Sequence, residues 1–148
     1  MVPIKLYLDI DGVILGKNEH GDISLIPDIE NFLAYTKAHF DCYWLSTHSR
    51  YKKKDVFDYL RPYFEFHDLG LLAHFKPAFW RTLKTEAIDF AHPFIWIDDQ
   101  PLLFEIEILK KKGRLRNWLQ VDTYKNYRDL TVELLERKRL EILSLIGQ

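Results

Sequence analysis

The sequence predicts an α/β fold: a Rossmann-like, three-layer α/β/α sandwich on a mainly parallel sheet. Three observations predict it. Short apolar, β-prone runs alternate with helical stretches along the chain, as strand–helix units require. Acidic, hydroxyl and basic side chains gather where the apolar runs end, and parallel sheets place ligands beyond the carboxyl ends of their strands. The length of 148 residues suits a single domain, 1–148, and 47% hydrophobic residues suffice for a core on both sheet faces.

The elements follow in order. "IKLYLDI" (4–10) reads as a buried strand. Residues 12–26, with three glycines, read as a loop that includes a small hairpin. Residues 27–40 place Ile29, Phe32, Leu33 and Thr36 on one helical face, with Pro27 just before it. "DCYWLST" (41–47) is a second strand, and 51–60 a short helix closed by Arg-Pro. Residues 61–80 read as irregular and aromatic. A short helix over 83–91 precedes the third strand, "PFIWIDD". Residues 101–112 form a helix with Pro101 in its first turn and Gly113 just past its end. "WLQV" (118–121) is a fourth strand, and 127–147 a long amphipathic helix carrying Leu130, Leu134, Leu135 and Ile142 on or near one face.

Composition narrows the function. A net charge of −1 gives no global attraction to nucleic acid or membrane, so any such attraction must be local. The single Cys42 excludes an intramolecular disulfide and fits a reducing compartment. No run resembles a secretory leader or approaches the roughly 18 apolar residues of a membrane span. The expectation is a cytoplasmic protein without a membrane partner.

The first strand ends in Asp9 and Asp11, the second in Ser46, Thr47, His48 and Arg50, and the third in Asp98 and Asp99. Lys84 stands at the start of the segment leading into the third strand. Four carboxylates on one sheet edge repel one another and call for a cation. An oxygen-only donor set selects a hard ion, and Mg²⁺ suits carboxylates combined with water and a substrate phosphate.

These residues resemble the motifs of the haloacid dehalogenase (HAD) superfamily. "DIDGV" is similar to its first motif, an apolar strand followed by DxDG and Thr or Val. "CYWLS" is similar to the second, an apolar strand ending in Ser or Thr. Lys84 resembles the lysine of the third, and "FIWIDD" the paired acids of the fourth. Order and gaps fit as well, and the match runs from residue 4 to about 100. The resemblance implies roles. Asp9 is the nucleophile that takes the phosphoryl group, and Asp11 the acid and base. Ser46 binds phosphoryl oxygens, with Thr47 its rival, and Lys84 holds Asp9 and the phosphate, with Lys76 its rival. Asp9, the Asp11 backbone carbonyl and Asp99 hold Mg²⁺ with Asp98 in support, and Thr47, His48 and Arg50 face the substrate. An acid at position 11 favours phosphate transfer to water over the family's dehalogenase chemistry. Asp129, in "YRDLT", replaces a glycine common in small members.

Family members usually carry an inserted cap. Here residues 12–26 and 61–80 are too short for a cap domain, so the resemblance implies a capless phosphatase with an open site. Such a site suits a bulky phosphorylated substrate, a phosphoprotein or a nucleic-acid end, and there is a looser resemblance to HAD domains associated with RNA-end repair. The basic run 50–54 follows the second strand and so lies on the active side. The run 110–114 falls at the opposite edge, where it complements a helix dipole. Alternatives are a phosphatase of small metabolites or nucleotides, a non-catalytic phosphate- and metal-binding module, and a receiver domain. The intact acid, hydroxyl and lysine positions favour the enzyme.

Overall fold

The computed structural model describes residues 3–50 and 53–147, without the side chains of 53 and 54. It is an α/β structure around a five-stranded parallel sheet. Its strands are β1 (Ile4–Leu8), β4 (Phe40–Trp44), β5 (Lys76–Pro77), β6 (Phe94–Asp98) and β7 (Trp118–Gln120), in the order β5-β4-β1-β6-β7. β2 (Leu15–Lys17) and β3 (Ile23–Leu25) form a separate antiparallel hairpin. The helices are α1 (Ile29–His39), α2 (Lys53–Leu60), α3 (Leu103–Lys111) and α4 (Val132–Ile146).

Strand alternation sorts the core into two layers, because successive side chains point to opposite faces. Leu6, Leu8, Ile95 and Ile97 pack with Phe32 and Leu33 of α1, Val56 of α2, and Leu135 and Ile142 of α4. Tyr7, Phe94 and Trp96 pack on the other face with Leu109 of α3, Ala78 and Ile88. β6 is buried along its whole length, as a central strand covered on both sides must be. The face expected for α1 is the buried one: Ile29, Phe32, Leu33 and Thr36. Gly113 ends α3 in the left-handed region at φ +66°, which glycine adopts at little cost. No described helix is long and apolar enough to cross a membrane.

Three expectations need correction. The segment 83–91 is a single 3-10 turn, Lys84–Ala87, that becomes extended at Ile88. Asp89 draws the chain out of helix by accepting the Ala91 N–H at 3.0 Å, a local alternative to helical hydrogen bonding. The last helix begins at Val132, not 127. Thr131 is its N-cap, accepting the Leu134 N–H at 3.1 Å, and Asp129 upstream accepts the Asp122 N–H at 2.9 Å, which holds the preceding turn. The span 61–80 is not wholly irregular. Besides 3-10 turns at Arg61–Phe64 and Leu69–Leu72, it supplies β5, whose two residues pair with Tyr43 and Trp44. Two residues, one of them proline, are too few for any alternation to show.

The segment between β1 and α1 is fastened by a residue from the far side of the sequence. Thr123, fully buried after β7, accepts the Lys17 N–H and donates its own N–H to the Gly12 carbonyl at 2.8 Å. Its hydroxyl lies 2.9 Å from the Val13 carbonyl and 3.2 Å from that of Leu15. Gly16 permits this approach, since a Cβ there would lie 2.6 Å from the Thr123 carbonyl oxygen. Thr123→Val keeps the shape and removes the donor. It should lower the unfolding free energy by about 1–3 kcal/mol, measured by urea denaturation; an unchanged stability would show that the hydroxyl is dispensable.

Candidate active site

The carboxyl ends of β1, β4 and β6 meet as neighbours, and the sequence-predicted acids converge there. Asp9, Asp98 and Asp99 each place a carboxylate oxygen within 4.8 Å of the others. Asp9 and Asp98 are buried, at 7% and 1% exposure. The Asp9 N–H is still bonded to the Ile97 carbonyl, so the ladder fixes the acid at the strand's tip. One Asp9 oxygen accepts the Ile10 N–H at 2.8 Å. Lys84 Nζ lies 3.3 Å from the other and 2.7 Å from Asp98 Oδ2. The second Asp98 oxygen accepts the Gln100 N–H at 2.9 Å, so both of its oxygens already hold donors.

Gly12 is what lets Asp99 join this group. It sits at φ +76°, and a Cβ there would come within 2.7 Å of Asp99 Oδ2. The glycine that follows the acid pair is therefore required twice, for its backbone conformation and for the space it leaves.

The electrostatics show a cluster with too few cations. Burial, and then the charge of Asp98, hold the Asp9 carboxyl well above the usual range. Burial and Asp98 likewise push Asp99 up to about 6. Burial alone would lower Lys84, but Asp9 and Asp98 outweigh it and keep the ammonium charged. One lysine among three carboxylates leaves net negative charge, and the free donor atoms are oxygens. Asp9, Asp98 and Asp99 could hold a metal ion through carboxylate oxygens, a donor set that suits a hard divalent cation.

Lys84 is placed by residues that sequence reading missed. Glu86 takes the N–H groups of Arg81, Thr82 and Leu83 on one oxygen, at 2.9–3.1 Å, and so winds the turn. Glu105, buried at the start of α3, accepts the Leu102 N–H at 2.8 Å with one oxygen and the Lys84 N–H at 2.5 Å with the other. It ties the lysine's turn to the helix that follows the paired acids. The available signal was a glutamate three positions after the N-cap residue, where a carboxylate can cap the first turn. The rival Lys76 is elsewhere, on β5, bonded to Asp41 at 2.6 Å.

Asp11 stands apart from the three clustered carboxylates. Its Oδ2 lies 2.9 Å from His48 Nε2, and its Oδ1 accepts the Tyr59 hydroxyl at 2.5 Å. Burial would raise its pKa, but these hydrogen bonds outweigh it and lower it. Tyr59 was not expected at the site. Tyr124 is near as well: burial, then the charges of Asp11 and Asp99, push its hydroxyl up to about 12.

The remaining candidates stand at the carboxyl end of β4 and in the turn that follows it. The buried Ser46 hydroxyl accepts the His48 N–H at 3.1 Å within its own turn, and its O–H remains a donor. Thr47 is exposed at the start of that turn. His48, expected to face the substrate, lies against Asp11. The Arg50 guanidinium stacks 4.7 Å from the Trp80 ring centroid and donates to the Arg81 carbonyl, so it leans toward the loop after β5. In the basic run 50–54, residues 51 and 52 and the side chains of 53 and 54 lie outside the described residues. A hollow of about 880 Å³ opens at the other edge of the sheet, among Phe90, Pro93, Leu115 and Ile142. No carboxylate lines it, and none of Asp9, Asp98, Asp99 and Lys84 is among its lining residues.

Compared with known proteins, the chain matches no family model and no curated protein.

The raised acids fix the sign of a pH dependence. Between about pH 4 and pH 6 the folded chain holds a proton on Asp99 that the unfolded chain has released, so stability falls as pH rises through that window. Asp9, shifted in the same direction, adds to the fall. Asp99→Asn should shrink the loss, and Mg²⁺ should restore stability above pH 6 while adding little near pH 4. Thermal melts across that range, with and without the ion, check this; a Mg²⁺ effect independent of pH would contradict it.

Proposed function

We propose that this protein is a Mg²⁺-dependent phosphohydrolase of the HAD type, acting through an aspartyl-phosphate on Asp9. The observation that carries the reading is the convergence of Asp9, Asp98, Asp99 and Lys84 from three separate segments into one cluster, with Asp9 and Asp98 buried. A structural acid pair would not need the other two elements. The bound ion would offset carboxylate charge and draw electrons from the phosphoryl oxygens.

The reaction uses the chain's own groups in two steps. An Asp9 oxygen attacks phosphorus while the bond to the leaving oxygen breaks, and Asp11 gives that oxygen its proton. Asp11, now ionised, then takes a proton from water as the water attacks phosphorus, and phosphate departs from Asp9. Lys84 remains charged throughout and holds Asp9 in line. The depressed pKa of Asp11 suits the second step; in the first it must bind a proton before it can act. Phosphoryl transfer depends chiefly on such positioning and charge stabilisation.

Substrate size is read from the segments where a cap would lie. Residues 12–26 carry a three-residue-per-strand hairpin, and 61–80 carry short turns and β5. Neither builds a second core, which supports an open site and a bulky substrate such as a phosphoprotein or a nucleic-acid end.

Hydrolysis of p-nitrophenyl phosphate tests the reading. Activity should require Mg²⁺, vanish with EDTA and return when Mg²⁺ is added in excess. Asp9→Asn should abolish it, since an amide cannot form the acyl phosphate. Turnover by Asp9→Asn, or full activity under chelation, would rule the mechanism out. Binding of phosphate without any turnover would favour the non-catalytic module.

A further inference from the structure

Asp11 has 36% of its side chain exposed. A short carboxylate in that setting has several staggered orientations open to it. Two donors from other elements remove this freedom. Tyr59, on α2, takes Oδ1, and His48, in the turn after β4, takes Oδ2. A carboxylate only accepts, so Nε2 is the donor in the second contact.

The donors are themselves fixed. Their rings stack with centroids 3.5 Å apart and planes 13° from parallel, so neither turns without displacing the other. The His48 N–H is held by buried Ser46, whose own N–H is held by Ser49 Oγ at 3.1 Å, and that hydroxyl donates to the Trp44 carbonyl at 3.0 Å. Tyr59 sits between buried Val56 and Leu60 on the helix. The chain of contacts runs from the core of the sheet to both oxygens of one carboxylate.

We propose that His48 and Tyr59 are positioning residues for Asp11, holding its carboxyl group in the single orientation from which it exchanges a proton with the leaving oxygen and with water. This rests on the phosphatase reading above and moves His48 from the substrate to the acid. It also gives the turn at Thr47–Ser49 a purpose that a lone hydroxyl at Ser46 does not: the turn presents the His48 ring. The plain alternative is that the stacked pair only fastens α2 to the sheet. The two accounts differ in what the loss of one hydroxyl does to different leaving groups.

The experiment measures kcat/KM for phenyl phosphate and 2,4-dinitrophenyl phosphate in the native chain, Tyr59→Phe, Asp11→Asn and the double variant. Phenolate needs a proton as it leaves and dinitrophenolate does not, and kcat/KM reports the step in which it leaves. Tyr59→Phe retains the ring and the stack, and a thermal melt checks its fold. It should cost at least about tenfold more on phenyl phosphate than on the dinitrophenyl ester. In the Asp11→Asn background it should cost less than about twofold, because Tyr59 acts through Asp11. His48→Gln, which keeps an N–H donor, should retain more phenyl phosphate activity than His48→Ala. Equal losses on both esters, additive losses with Asp11→Asn, or an unaffected Tyr59→Phe would each overturn the proposal. Asp9→Asn run beside them separates the levels: an inactive Asp9→Asn with an unaffected Tyr59→Phe sinks the positioning role alone, and an active Asp9→Asn sinks the phosphatase reading.

Discussion

The repulsion among Asp9, Asp98 and Asp99 is the constraint around which the carboxyl edge of the sheet is arranged. Three carboxylates within 4.8 Å, two of them buried, oppose folding unless their charge is offset. Lys84 offsets part of it, and the turn that carries Lys84 is wound by Glu86 and anchored by Glu105. Gly12 gives Asp99 the room to approach. Thr123 then holds the segment after Gly12 in place from the far edge of the sheet. Each device has a local physical reason, and all serve the same crowded charge. A fold that keeps an internal repulsion of this kind gives up stability at a site, which is the usual signature of function.

Much of this was legible in the sequence. Alternation of apolar runs and helical faces gave the parallel α/β class, and the buried face of α1 was readable from Ile29, Phe32, Leu33 and Thr36. The acids and Lys84 were legible because each stands at the end or start of an element, where a parallel sheet gathers its ligands. What was not legible rests on contacts without a local pattern. Tyr59 lies 48 positions from Asp11 and looks like one more apolar-face residue of a short helix. Thr123 follows a strand and reads as a turn residue until its contacts 108–110 positions away are seen. β5 is too short to show a period. The helix expected over 83–91 stops after one turn because Asp89 turns its side chain on nearby backbone, a competition that hydrophobic spacing does not report.

The same distinction divides the site. The clustered acids come from the ends of β1 and β6, and Lys84 from the turn before β6. The side chains around Asp11, namely His48, Tyr59 and Tyr124, come from a turn, a helix and the segment after β7. These side chains are placed by contacts between elements and not by the sheet ladder, which is why hydrophobic spacing did not point to them.

The most direct measurement is a crystal structure of the protein with Mg²⁺ and beryllofluoride. The account requires the fluoroberyllate on an Asp9 carboxylate oxygen. It also requires one Mg²⁺ held by oxygens alone, from Asp9, Asp99 and the Asp11 carbonyl, with Lys84 still on Asp98. A beryllofluoride bound elsewhere, or a Mg²⁺ absent from the three acids, would contradict it.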